Sequence, residues 1–322
     1  MKGLKFIGRG SAFNTKEGNN SAYIKRNGKL LLIDCGETVF ARIKELNLLE
    51  DVTDVYVLLT HLHSDHSGSL GSLIAYCYYV LKIKINVIYP NMDKITDFLA
   101  LSELDNNAFT VLKPYRCDAE RILRDHKLNV RIMYFHTVHT AIDNAYGYII
   151  VDDEEKMVYY YSGDSNRYLF NDMKIVSDDD DIKDYIVYQD TCLADYDGNV
   201  HLSLNKLCEA VPCREVRKKI YCMHLDSDEL MIKAKQAGFN VVKTESTYFE
   251  DEKVKWQSIE VDYIQACENL FNEMKDLENL TDVEKVFIEQ GKKVEEICGK
   301  YRLINKDTGK EVCKNEEDTE NI

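Results

Sequence analysis

The stretch Thr60-His61-Leu62-His63-Ser64-Asp65-His66-Ser67-Gly68 decides the fold of this chain. It follows the apolar run Val55-Tyr56-Val57-Leu58-Leu59, which is typical of a buried strand. A strand that ends here places the polar side chains at the carboxyl edge of a sheet, where layered α/β proteins commonly have their active sites. Four of these side chains are of types that bind catalytic zinc: His61, His63, Asp65 and His66.

The order of these four residues predicts two metal positions rather than one. The residues alternate inside the loop, and we expect His61 and His63 to point one way while Asp65 and His66 turn the other. One short loop could then contribute ligands to two adjacent ions.

The stretch resembles the signature of the metallo-β-lactamase superfamily, and later matches point to its RNase Z-like phosphodiesterase branch. The resemblance covers roughly residues 3 to 250. It implies an α/β fold, an αββα sandwich with a two-metal site at one edge. We therefore predict a catalytic domain at 1–255 and a C-terminal helical extension at 256–322, with a short hairpin in the extension.

Three further regions complete the expected ligand set. His139 or His136 precedes the strand around Tyr146-Gly147-Tyr148, and the spacing favours His139, while Asp164 and His224 each follow an apolar strand. The resemblance implies one metal on His61, His63 and His139, a second on Asp65, His66 and His224, and Asp164 as the bridge. We expect two divalent ions, zinc by the histidine content, with manganese and iron left open.

Two more residues are expected to act around the metals. Asp34 follows the strand Leu30-Leu31-Leu32-Ile33 and could be an ordinary strand-end residue, but the resemblance implies that it supports a metal-bound histidine. His201 precedes a helix with Ser203 as its expected cap. It resembles the RNase Z-like histidine that contacts the substrate phosphate.

These assignments predict a dinuclear phosphodiesterase. In this hypothesis a metal-bridging hydroxide attacks phosphorus, Asp65 orients it or accepts its proton, and His201 stabilises the phosphate or protonates the leaving oxygen. A thioester or lactone hydrolase of glyoxalase II or lactonase type uses nearly the same ligands, and only His201 and its surroundings favour phosphodiesters. A metal-stabilised binding module without enzymatic activity, acting through the C-terminal helices, is the third alternative.

Composition limits the partners. The formal net charge of −15 argues against binding long nucleic acid, whereas a small anionic or phosphodiester substrate can still be bound at a metal centre. None of the ten cysteines forms a C-x-x-C pair, which argues against a disulfide framework and favours a reducing compartment. With no apolar run of membrane-spanning length and no secretory signal, we expect a cytoplasmic protein that does not contact membranes.

Two regions outside the ligand set also carry expectations. Residues 93–126 show a mostly helical pattern without a long basic insertion, which argues against tRNA as the substrate. Residues 258–301 are helical in pattern and either cap the sandwich or form a surface for a homodimer or another partner.

Overall fold

The computed structural model describes residues 3–117, 123–125, 128–139, 144–170 and 184–245. In these ranges the helices are α1 (Val39–Glu45), α2 (Ser64–Ser67), α3 (Leu70–Tyr76), α4 (Met92–Leu101), α5 (Leu204–Ala210), α6 (Arg214–Arg217) and α7 (Asp228–Gln236), and a π-helical turn over Cys77–Leu81 extends α3. Among the described residues, no helix combines the length and apolar composition needed to cross a membrane.

The first sheet has the strand order β1-β2-β3-β4-β5-β6. β1 (Lys5–Gly8), β2 (Ser21–Arg26) and β3 (Lys29–Ile33) pair antiparallel, and Ala22 lies opposite Ile33. β3, β4 (Asp54–Leu58), β5 (Ile85–Ile88) and β6 (Phe109–Leu112) are parallel, so their carboxyl ends share one edge. β1 runs in the same direction as β3, and therefore also ends at this edge.

The second sheet has the order β14-β13-β12-β11-β10-β9-β7, with β8 paired to β9. Its strands are β7 (Tyr115–Arg116), β8 (Leu123–Asp125), β9 (Val130–His136), β10 (Tyr146–Asp152), β11 (Met157–Tyr161), β12 (Asp184–Asp190), β13 (Ile220–Met223) and β14 (Asn240–Val241). From β11 to β14 the pairing is parallel. β9 runs in the direction of β11, because both are antiparallel to β10.

Alternation along the central strands builds two apolar layers. Tyr148 and Ile150 of β10 face the core that the two sheets share, whereas Ile149 and Val151 face a second core under α5 and α7. Both faces of the sheet are covered, so every residue of β10 is buried. On the other side, α1, α3 and α4 cover the first sheet with residues such as Ile43. The predicted αββα sandwich is confirmed.

The helical prediction for residues 93–126 is wrong beyond α4. Phe109-Thr110-Val111-Leu112 forms β6, and the described residues that follow include β7 and β8. β-Branched and aromatic residues favour strands, and here they extend the parallel edge beside β5. Residues 246–322 lie outside the described part of the chain, so the domain boundary at 255, the C-terminal helices and their hairpin stay predictions.

Gly36 allows the segment after β3 to pack against the metal-binding stretch. The Cys35 N–H donates to the His66 carbonyl at 2.7 Å, and Ser69 N–H donates to the Cys35 carbonyl at 3.0 Å. A Cβ atom on Gly36 would lie only 1.9 Å from the carbonyl oxygen of Asp65. Only glycine therefore lets these two backbone segments approach so closely.

Gly36→Ala is expected to lower the free energy of unfolding by about 1–3 kcal/mol, because the loop that carries Asp65 must move. Gly71→Ala is the matched control, since a Cβ there meets only Ser102 Cβ at 4.0 Å. We expect that change to be neutral or to stabilise α3 by up to about 1 kcal/mol. Urea denaturation of both variants measures the difference, and equal stabilities would contradict the close-packing argument.

Candidate metal centre

Strand ends from both sheets bring polar side chains to one edge of the sandwich. Asp34 follows β3 and Thr60 follows β4 in the first sheet. In the second sheet Asp164 comes after β11, Asp190 ends β12, and His224 comes directly after β13. Hydrogen bonds such as that between Tyr146 N–H and the Thr60 carbonyl, at 3.0 Å, join the two sheets at this edge.

The backbone of the metal-binding stretch explains why its side chains divide into two groups. His63 has an extended backbone, with φ −64° and ψ 154°, and immediately precedes α2. His61 and His63 thus lie on an extended segment, while Asp65 and His66 lie on one helical turn. The change of backbone conformation at His63 directs the two pairs to different places, as the sequence predicted.

The first group consists of His61, His63 and His139. The Nδ1 atom of His63 lies 2.9 Å from Nε2 of His61 and 3.3 Å from Nε2 of His139. The Nδ1–H of His139 donates to the Val200 carbonyl at 3.1 Å, which leaves Nε2 as the nitrogen with a free electron pair. His136 lies outside the group, exposed at the end of β9 with its ring 5.1 Å from that of Tyr146.

The second group consists of four buried residues, Asp65, His66, Asp164 and His224. The Oδ2 atom of Asp65 lies 3.1 Å from Nε2 of His66 and 3.3 Å from Nε2 of His224. The Oδ2 atom of Asp164 lies 3.3 and 3.6 Å from the same two nitrogens. It is also 3.8 Å from Nε2 of His61 and 3.7 Å from Nε2 of His139, and so lies between the two groups.

The donor atoms fit divalent cations. Nε2 of His66 is buried and has no hydrogen-bond partner, although most buried polar atoms form hydrogen bonds. The candidate ligand atoms of each group all lie within 4.8 Å of one another. Ligands about 2.1 Å from a tetrahedral zinc lie about 3.4 Å apart, which is close to the separations above. Each group could therefore hold one ion, with Asp164 available to both.

Asp34 fixes the orientation of His66. Its Oδ2 accepts a hydrogen bond from Nδ1 of His66 at 2.9 Å, and its Oδ1 accepts the Thr60 N–H at 2.7 Å. Asp34 is fully buried and has a left-handed backbone, with φ 63°, a conformation that aspartate tolerates better than most residues. The predicted contact between Asp34 and a ligand histidine is present.

The site concentrates negative charge. Burial disfavours the Asp164 carboxylate, but His224 and His66 outweigh burial and hold its pKa well below its ordinary value. Burial also disfavours protonated His66, yet Asp164 and Asp34 raise its pKa well above the ordinary value. A centre that stabilises protons on buried imidazoles in this way also attracts metal cations.

Asp190 is a site residue that the sequence reading missed. Its Oδ2 accepts a hydrogen bond from Nδ1 of His201 at 2.8 Å, and its Oδ1 lies 3.4 Å from Nδ1 of His224. Asp190 ends β12, and its only local signal is an acidic residue at a strand end. Asp34 and Asp164 share that weak signal, but the family resemblance assigned roles to those two. The predicted cap beside His201 is confirmed, because Ser203 accepts the Lys206 N–H at 3.2 Å.

Solved structures share this fold. The metallo-β-lactamase fold protein YhfI from Bacillus subtilis aligns with a TM-score of 0.55 and 18% identity over 75% of this chain and 95% of its own. A diphosphatase from the PhnP family aligns with a TM-score of 0.55 and 13% identity over 75% of this chain and 94% of its own. Human tRNase Z, short form, aligns with a TM-score of 0.50 and 17% identity over 75% of this chain and 96% of its own. The fold and site define a hydrolase of the metallo-β-lactamase fold.

Sequence comparison identifies the family within this class. The family model described as Anti-Pycsar protein Apyc1 matches residues 2–248, and the chain therefore belongs to that family. One relative, the Anti-Pycsar protein Apyc1 of Bacillus phage vB_BveM-Goe7, is 31% identical over 246 residues. That match covers 69% of this chain and 88% of the relative.

Asp34→Asn is expected to weaken zinc binding by about 10- to 100-fold, because His66 loses the carboxylate that orients its ring and strengthens it as a ligand. Competition with a chromogenic chelator measures the affinity. Asp152→Asn is the control, since Asp152 is also buried but pairs with Arg26. Equal affinities in the wild type and Asp34→Asn would show that Asp34 does not support the metal.

Proposed function

We propose that this protein is a dinuclear metal-dependent phosphodiesterase that hydrolyses cyclic nucleotides. The observation that carries the proposal is the position of His201. Its side chain is 26% exposed beside the metal-binding groups, and its Nδ1 lies 3.9 Å from Oδ2 of Asp164. With Nδ1–H donated to Asp190, the Nε2 atom of His201 is the nitrogen available to a substrate.

The proposed roles follow from the groups that each side chain contacts. His61, His63 and His139 would hold one ion, Asp65, His66 and His224 the other, and Asp164 would bridge them. Two divalent ions bound there supply positive charge for a phosphoryl group and activate water for attack on phosphorus. Asp65 would orient that water or accept its proton, and His201 would protonate the leaving oxygen.

Several observations support a small phosphodiester as the substrate. The net charge of −15 disfavours a long polyanion, so the substrate is proposed to carry few phosphates. Two structural relatives are named for action on phosphate bonds, a tRNase Z and a diphosphatase. The name of the Apyc1 family is consistent with a cyclic nucleotide phosphodiesterase, and this narrows the proposal to cyclic nucleotides.

His201→Ala is expected to lower kcat on bis-(p-nitrophenyl) phosphate by about 100- to 10,000-fold while the protein keeps its metal, because only proton transfer or phosphate contact is lost. Asp164→Ala is expected to lose both metal and activity. His136→Ala is the matched control, an exposed histidine near the site that is expected to retain both. Assays with zinc and with manganese, together with metal analysis of each variant, measure these effects.

The same assays separate the alternatives. Turnover of thioesters or lactones without any phosphodiester turnover would contradict the proposed function and leave the fold and ligand groups standing. Inactivity of the metal-loaded protein on all ester classes, together with a partner that binds residues 258–322, would favour a binding module. Activity on bis-(p-nitrophenyl) phosphate directs the next assay to 3′,5′-cyclic nucleotides.

Asp190→Asn is expected to move the alkaline limb of the kcat profile to lower pH. Burial lowers the pKa of His201, but Asp190 and Asp164 outweigh burial and raise that pKa above its ordinary value. A general acid acts in its protonated form, so kcat falls as the pH rises through this pKa. Without the Asp190 charge the pKa is lower and activity is lost at a lower pH. Superimposable profiles of the two proteins would contradict the role of Asp190.

A further inference from the structure

Two exposed aromatic side chains, those of Phe13 and Tyr196, lie on turns beside the metal centre. Phe13 is 97% exposed and Tyr196 is 59% exposed. Large apolar side chains scattered singly over a surface are ordinary. These two are different, because the Phe13 turn is hydrogen-bonded to Leu225, and the segment that leads into the Tyr196 turn is hydrogen-bonded to Asp226. Leu225 and Asp226 directly follow the candidate ligand His224.

The turn that carries Phe13 emerges from β1 at the catalytic edge. The Ser11 N–H and the Asn14 side-chain amide both donate to the Leu225 carbonyl, at 3.0 and 2.9 Å. Leu225 N–H in turn donates to the Arg9 carbonyl at 2.8 Å. Asn14 N–H closes the turn on the Ser11 carbonyl at 3.1 Å, so that Phe13 lies at the corner of an anchored turn.

The turn that carries Tyr196 leads into His201. The Leu193 N–H donates to the Asp226 carboxylate at 2.8 Å, and Asn199 N–H closes the turn on the Tyr196 carbonyl at 3.3 Å. The Asn199 side chain then accepts the His201 N–H at 3.1 Å. The position of Tyr196 is thus connected through Asn199 to the residue assigned to proton transfer.

The charges around these aromatic rings select the part of a nucleotide that can bind there. Asp197 on the Tyr196 turn and Asp226, which accepts the Leu193 N–H, have exposed carboxylates, and those of Asp195 and Asp228 are paired with Lys206 and Lys16. A second phosphate placed here would be repelled, whereas an uncharged base can stack on an aromatic face. We propose that Phe13 and Tyr196 form a nucleobase platform, an inference that rests on the proposed function.

The experiment compares KM for a 3′,5′-cyclic mononucleotide with KM for ribose 3′,5′-cyclic phosphate that lacks a base. One base–aromatic stack corresponds to about 5- to 150-fold in affinity, so Phe13→Ala and Tyr196→Ala are each expected to raise KM by such a factor for the nucleotide only. We expect kcat to stay within about 2-fold. Phe13→Trp keeps an aromatic ring and should keep KM as low as in the wild type. Leu101→Ala is the control and should leave KM unchanged, because it removes an apolar side chain that is 86% exposed on α4.

Four outcomes would overturn the platform. A KM for the nucleotide that is unchanged in both alanine variants, while the wild type is active, refutes the platform and leaves the proposed function intact. An equal rise in KM for the baseless substrate would show that the residue acts through the fold and not through the base. A molecular mass of Phe13→Ala in light scattering that is half that of the wild type would show that the residue acts through contact with a second copy of the chain. A wild type that hydrolyses other phosphodiesters but no cyclic nucleotide contradicts the proposed function and the platform together.

Discussion

The hydrogen bonds of Asp34 to Thr60 and His66 are the interaction on which the rest of the site depends. They join the ends of β3 and β4, and they hold the stretch of residues 60–66 in one conformation. The second sheet is attached to the same point, because Tyr148 donates its hydroxyl to the Leu59 carbonyl at 2.6 Å and Tyr146 N–H bonds to Thr60. Strand ends from both sheets therefore meet at a carboxylate that is buried and fully hydrogen-bonded.

This arrangement places charge where burial would ordinarily exclude it. Asp34, Asp164 and Asp190 are almost completely buried, and each has a histidine nitrogen within 3.5 Å. Removing a charged group from water is costly unless it is paired, so each carboxylate needs its histidine as much as the histidine needs the carboxylate. A divalent ion would compensate the negative charge of these buried carboxylates further. Metal binding at this site would therefore be coupled to folding.

Local pattern was sufficient to predict much of the fold and site, and the reasons are physical. The His-rich stretch after an apolar strand indicates both the sheet edge and the candidate ligands, since strand direction fixes where the next residues lie. Asp190 was missed because a lone acidic residue at a strand end has no meaning until β12 is placed between β11 and β13. Phe109-Thr110-Val111-Leu112 was assigned to a helical region because its strand conformation depends on pairing with β5, which the local sequence does not contain. The spacing before β10 favoured His139 over His136, and the structure places Nε2 of His139 3.3 Å from Nδ1 of His63, a contact across 76 residues of sequence.

The position of His224 after β13 has a consequence for the order in which the protein is made. His224 contacts Asp65 across 159 residues of sequence, and the strand before it, β13, lies between β12 and β14 in the second sheet. During synthesis the three histidines of the first group have emerged with His139, but the Val200 carbonyl that orients His139 and the candidate ligand His224 follow much later. An ion captured early by the nascent chain would therefore meet three histidines that are not yet held in place, and binding at the second group would have to wait until the sandwich is nearly complete.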